Sequence, residues 1–235
     1  MFHQFADNLK PVIASYRDNL AGRAYWLDGG FPTMTNKEAG ELLRYFIEMR
    51  MRNNPTEKPN LKWIGEKDPV HASRSQMMMS LFKSETFVHI IRDPRDRAVS
   101  FRFHLHNRKQ TIADQERFML GCAREWTRIV ADVRASAKKN GVRYHELRYE
   151  DLLARPIETA AAVFNFLGVD TAPAAQCIEA ASFEKLSGGR KPGQEDLASF
   201  YRKGVQGDWR NHMDAEQERA FIAATGGLMA ELGYA

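Results

Sequence analysis

The sequence predicts an α/β fold in which a mostly parallel sheet is flanked by helices. Two patterns carry this: short β-branched apolar runs alternate with longer segments of helical period, and Gly, Pro and Asn stops separate them. Size is the third observation. A chain of 235 residues with 43% apolar side chains can build one generous hydrophobic core. No internal repeat, low-complexity tract or linker divides it, so residues 1–235 read as one domain.

The elements follow in order. Thr35-Asn36-Lys37-Glu38 has capping-box spacing, Leu42, Leu43, Phe46 and Ile47 follow at helical intervals, and Asn53-Asn54-Pro55 closes that helix. The run Leu61-Lys62-Trp63-Ile64-Gly65 reads as a strand feeding the loop Glu66-Lys67-Asp68-Pro69. Residues 72–82 read as a helix whose Met77, Met78 and Met79 pack the core. Thr86-Phe87-Val88-His89-Ile90-Ile91 is the clearest strand, nearly continuous in hydrophobicity as a buried parallel strand would be. A helix follows over about 97–106, and a long amphipathic one over 113–139, which Asn140-Gly141 stops. Residues 142–147 read as a further strand, 157–167 as a helix stopped by Gly168, and 182–207 as a polar loop. The final helix, 215–232, is interrupted at Gly226-Gly227.

Composition narrows the function classes. A charged fraction of 27% excludes a disordered chain, and no apolar run approaches the roughly 18–20 residues of a membrane span. The N-terminus carries no basic stretch followed by an apolar one, so no signal peptide is evident. Cys122 and Cys177 lie far apart in helical segments, which argues against a disulfide framework or a zinc site; a cytoplasmic protein is the expectation. The net charge of +4 is mild, but it is concentrated. Arg92, Arg95, Arg97, Arg102, Arg108 and Lys109 face only Asp93 and Asp96, and a second basic group comprises Arg190, Lys191, Arg202, Lys203 and Arg210. Such local excess suits a small polyanion such as a nucleotide, not a nucleic-acid track.

Ligands of open α/β sheets bind beyond the carboxyl ends of the strands, where Arg92 stands. Ser100 lies in the first turns of the following helix. A guanidinium fork with a hydroxyl near a helix N-terminus makes an anion site. Alternatively, Arg92 pairs with Asp93 or Asp96. Tyr201-Arg202-Lys203-Gly204-Val205-Gln206-Gly207-Asp208-Trp209-Arg210-Asn211 joins two adjacent cations to two glycines, the composition of a lid over a phosphate. It also reads as a solvated basic loop with Trp209 anchored in the core. His104 and His106, two apart, would point to different helix faces and do not suit a metal site.

Three segments occur in sequence order: Ile91-Arg92-Asp93-Pro94-Arg95-Asp96-Arg97-Ala98-Val99-Ser100, Arg148-Tyr149-Glu150-Asp151-Leu152-Leu153, and Arg202-Lys203-Gly204-Val205-Gln206-Gly207-Asp208-Trp209-Arg210-Asn211. Together the chain resembles the sulfotransferases that use 3′-phosphoadenosine 5′-phosphosulfate (PAPS), most clearly over residues 61–235. The segment from Ser182 to Gly193 resembles the stretch before that family's lid. The resemblance implies a three-layer fold like that of P-loop nucleotide kinases. It implies sulfuryl transfer from PAPS to a small hydroxyl or amine acceptor, without a metal, a nucleic acid or a membrane. It puts Arg92 and Ser100 on the nucleotide's 3′-phosphate, closes Arg202, Lys203 and Gly204 over the same group, and sets Tyr149 near the adenine.

Glu66-Lys67-Asp68-Pro69 resembles the family's Glu-Lys-Thr-Pro segment, with Asp where Thr is usual. Glu66 or His71 is therefore expected to be the base that takes the acceptor's proton, and Lys67 an electrostatic helper; His71 also reads as an ordinary surface histidine. One feature of the family is not found. Its 5′-phosphosulfate loop, of the form Pro-Lys/Arg-Ser-Gly-Thr-Thr, has no counterpart, and Gly29-Gly30-Phe31-Pro32-Thr33 lacks the cation and the Ser/Thr pair. The first strand–loop–helix is thus expected to be missing or altered. A non-catalytic, N-terminally truncated nucleotide- or partner-binding domain is the alternative reading. Acceptor identity and oligomeric state are not legible.

Overall fold

The computed structural model describes residues 36–52 and 63–234. The chain divides into two compact units, Met1–Lys83 and Ser84–Ala235. Thr35, the stop at Asn53-Asn54-Pro55, and Gly29 to Thr33 lie outside the described residues, as do Leu61 and Lys62.

In the first unit, helix α1 (Asn36–Arg52) is followed by α2 (Val70–Ser73) and α3 (Ser75–Leu81). Leu43, Ile47, Met79 and Phe82 are buried. Gly40 lets α1 come close to α3, since a Cβ there would stand 3.2 Å from Leu81 Cδ2. The single helix expected over 72–82 is two short ones, broken at Arg74, whose φ of −116° leaves the helical region. The strand expected over 61–65 is not formed in its described part. Residues 63–68 are irregular, and the exposed Trp63 and Ile64 have no pairing strand among the described residues.

The second unit is an α/β layer structure built on β1 (Thr86–Ile91). There follow α4 (Pro94–Asn107), α5 (Gln115–Asn140), β2 (Arg143–Arg148), α6 (Tyr149–Ala154), α7 (Pro156–Leu167), α8 (Ala174–Ala180), α9 (Phe183–Leu186), a 3₁₀ turn Asp208–Asn211, α10 (Ala215–Ala223) and α11 (Leu228–Glu231). β1 and β2 pair in parallel with Thr86 opposite Arg143 and Ile91 opposite Arg148. Their local causes match the sequence signals. Gly141 and Gly168 end α5 and α7 in the left-handed region, at φ +63° and +73°. Gly226 and Gly227 break the C-terminal helix into α10 and α11. Helix α4 starts earlier than expected, because Pro94 occupies its first position and the Asp93 side chain accepts from Arg95 N–H. The short helices α6, α8 and α9 are additions to the expected set. No described helix is long and apolar enough to cross a membrane.

Helices lie on both faces of the sheet. On one face Ile91 joins Ala98, Trp126, Val130, Phe221 and Met229 in the core. On the other, His145 stacks on Phe166 of α7 at 4.9 Å. β1 is less buried than its sequence suggests: Val88 and Ile90 on the α7 face are 38% and 50% exposed. Among the described residues only β2 flanks β1, and an edge strand is covered less than a central one.

The core face also holds a polar relay. The Tyr144 hydroxyl donates its proton to Glu146 Oε2 at 2.8 Å, so in the 2.8 Å contact between His89 Nδ1 and the Tyr144 hydroxyl oxygen the ring nitrogen is the donor. Arg134 clamps Glu146 through Nε and Nη2, at 2.9 and 2.6 Å. Burial lowers the His89 pKa from its ordinary 6.5, outweighing the attraction of Glu146. On acidification the unfolded chain therefore takes up this proton before the folded one does, and stability falls as pH drops below about 6.5. We expect thermal unfolding between pH 7.5 and 5.5 to show this loss in the native chain and not in His89→Gln.

Candidate nucleotide site

Ile91 and Arg148 are register partners at the carboxyl ends of the two strands, so Arg92 and Tyr149 follow side by side. They meet: the Arg92 guanidinium carbon is 5.1 Å from the centre of the Tyr149 ring. The alternative pairing of Arg92 with Asp93 or Asp96 is not formed. Asp93 gives both carboxylate oxygens to Arg95, at 3.1 Å from Nε and 2.8 Å from Nη2. Asp96 accepts from the backbone N–H of Gly207 at 2.6 Å and of Trp209 at 3.0 Å. Arg92 Nε is buried without a hydrogen-bond partner, and no carboxylate pairs with Arg92 among the described residues. A cation in this condition is electrostatically expensive unless an anion joins it.

Ser100 is the seventh residue of α4 and exposed, further from the helix N-terminus than the sequence suggested. The start of the helix is closed by carboxylates, with Asp93 capping it and Glu150 accepting the Asp93 N–H at 2.9 Å. Ser100 shares a helical stripe with Asp96, Phe103 and Asn107, at spacings of three and four. Each of those three touches the segment 197–209: Asp96 as above, Phe103 beneath the Arg202 guanidinium at 4.3 Å, and Asn107 by donating to the Leu197 carbonyl. Ser100 is the exposed member of the stripe on which the cationic segment docks.

The expected lid, residues 201–211, which we term the flap, is an ion-paired structure, not a solvated loop, although Trp209 is buried as the second reading required. Arg202 bonds Glu195 and Asp208, and Lys203 Nζ donates to Asp208 Oδ1 at 2.6 Å. Asn211 donates to the same oxygen at 2.9 Å. Burial of Asp208 by itself would raise its pKa. The bonds from Lys203, Arg202 and Asn211 outweigh that and hold its carboxyl below the usual carboxylate range. Arg190 ties the approach to the flap, donating to the carbonyls of Gln194 and Arg202 at 2.9 and 3.0 Å and to Ser199 Oγ at 2.9 Å. Gly204 has φ +67°, and a Cβ there would lie 2.5 Å from Cγ of the Phe183 ring. Both the left-handed backbone and the close approach demand glycine. We expect Gly204→Ala to cost roughly 1–3 kcal/mol of flap docking. Trypsin should then cut between Arg190 and Lys203 several-fold faster, with the helical circular dichroism unchanged.

The two basic groups are thus not undivided patches. Arg95 is a buried internal tie, and Arg97 pairs with Glu125 at 3.0 Å. Arg102 Nη2 donates to His212 Nδ1 at 3.0 Å. Sequence reading missed the roles of Arg95, Asp96 and Asp208, whose partners lie up to 139 residues away. In the first unit, Glu66 and Lys67 are exposed in an irregular segment and not at a strand end. Glu66 Oε2 stands 3.3 Å from His71 Nε2, so the two expected base residues are neighbours, while Lys67 is exposed in the irregular segment that follows Glu66.

No curated protein matches the chain. The crystal structure of mouse sulfotransferase SULT7A1 complexed with PAP is similar at 22% identity over 64% of this chain, with a TM-score of 0.49; the chain spans 60% of that protein's length. A family model described as the sulfotransferase family matches residues 14–173, beginning well before Leu61 and ending before the flap. With more than half of its length so matched, the chain belongs to the sulfotransferase family.

Proposed function

We propose that this protein moves a sulfuryl group from PAPS to a small hydroxyl or amine acceptor by in-line transfer that needs no metal. The observation that carries the reading is Arg92, a half-buried guanidinium beside Tyr149 whose neighbouring carboxylates are all committed elsewhere. In this reading Arg92, Ser100, Arg202, Lys203 and Gly204 bind the 3′-phosphate, and the Tyr149 ring lies near the adenine. The acceptor atom bonds to sulfur as the bond from sulfur to the bridging phosphate oxygen breaks. Glu66 or His71 takes the acceptor's proton and Lys67 offsets charge on the leaving oxygen. Position and fixed charge supply the rate enhancement. Residues 1–235 then form one sulfotransferase-like domain.

The test is transfer of radiolabel from PAPS to a panel of hydroxyl and amine acceptors. Turnover above background in the native chain, lost in Arg92→Ala, is the expected result. Nucleotide binding without turnover on any acceptor would instead establish the non-catalytic alternative, and absence of both would sink the reading.

A further inference from the structure

We propose that Asp208 is a positioning residue that presents Lys203 to the nucleotide's 3′-phosphate; this rests on the reading of the site given above. Asp208 is fixed more firmly than the cations it holds. It is 5% exposed, and the backbone N–H groups on either side of it, of Gly207 and Trp209, are both bonded to Asp96 on α4. Asp96 is itself only 2% exposed. The carboxylate of Asp208 is therefore anchored to the helix that carries Ser100, while Arg202 and Lys203 reach it from the flap.

Its two oxygens divide the cations. Oδ2 takes Arg202 and has His212 Nε2 at 3.3 Å; Oδ1 takes Lys203 and Asn211. Arg202 is engaged at both ends of its fork, by Glu195 and Asp208, and lies over Phe103. Lys203 gives one bond to Asp208, which leaves two of the three ammonium N–H donors for a ligand. Arg102, bonded to His212, adds a third cation, which no carboxylate pairs with among the described residues. Arg202 and Lys203 share the one Asp208 carboxylate, so like charges that would otherwise repel are held side by side. Of the two cations that share Asp208, Arg202 is held at both ends of its fork and Lys203 keeps the greater donor capacity for the phosphate.

The experiment is calorimetric titration of the full chain with adenosine 3′,5′-bisphosphate and, as the probe lacking the 3′ group, adenosine 5′-phosphate. Asp208→Asn should weaken the bisphosphate by about tenfold or more and leave the 5′-phosphate unchanged. In a Lys203→Ala background it should add less than about twofold, because the two residues act as one unit. Unchanged or tighter binding by Asp208→Asn, with Lys203→Ala weakened, overturns the role of Asp208 alone. So do losses that multiply in the double variant. Native affinity in Lys203→Ala would instead overturn the placing of Lys203 on the phosphate and this inference with it. Should Asp208→Asn fail to fold, amine labelling of the native chain decides. Lys203, bonded to Asp208, should label several-fold more slowly than the exposed Lys191 and more slowly again with the bisphosphate present; equal labelling of the two lysines overturns the proposal.

Discussion

Arg92→Ala and Lys203→Ala should each weaken binding of adenosine 3′,5′-bisphosphate, the desulfated product, by about 1.5–3 kcal/mol, or roughly tenfold to a hundredfold in Kd. The size follows from what each residue offers. Arg92 brings a charged fork with a buried Nε that no protein group satisfies, so the phosphate gains charge-assisted bonds without first breaking an internal ion pair. Lys203 brings two N–H donors on an ammonium already held by Asp208. Arg92→Lys separates geometry from charge. It keeps the positive charge but loses the planar fork and the face presented to Tyr149, and should recover less than half of the lost binding energy. Calorimetry that finds native affinity in both alanine variants removes the site assignment.

How far the sequence could carry the argument depended on the range of the forces involved. β1 was legible because Val88, Ile90 and Ile91 favour a pleated strand through their own side chains, and α5 because its apolar period runs to a glycine stop. The candidate anion site was half legible. The position of Arg92 after a strand is a local fact, whereas its lack of a partner depends on where Asp93 and Asp96 find theirs. Asp93 chose Arg95, two residues away, which also caps α4. Asp96 chose two backbone N–H groups more than a hundred residues on, which no local pattern announces. The basic run 92–109 misled for the same reason: as a sum of charges it looks like one patch, yet Arg95 and Arg97 are neutralised separately. The expected strand at 61–65 rested on apolar content alone, and Trp63 and Ile64 are exposed in an irregular stretch.

The largest expected effect on stability is at Arg95. The residue is 5% exposed, and its guanidinium holds both oxygens of Asp93, donates through Nη1 to Glu218 at 2.7 Å and through Nη2 to the Tyr234 carbonyl, and stacks on Trp209 at 3.9 Å. One side chain therefore joins the β1–α4 junction, α10, the C-terminal segment and the flap. Arg95→Ala leaves the Asp93 carboxylate buried without its cation and should destabilise the chain by about 3–5 kcal/mol. At the roughly 2–4 °C per kcal/mol expected for this length, the melting temperature should fall by about 6–20 °C. The cause is testable by a double change. Most of the loss is attributed to the stranded charge, and Asn caps a helix about as well as Asp. Asp93→Asn with Arg95→Met should therefore be more stable than Arg95→Met alone. A double variant less stable than that single one would mean that lost packing on Trp209, not uncompensated charge, sets the cost. Arg97→Ala in the same basic run is the internal contrast. Its pair with Glu125 is open to solvent, and removing it should cost less than about 1 kcal/mol, since water already screens what that ion pair gains.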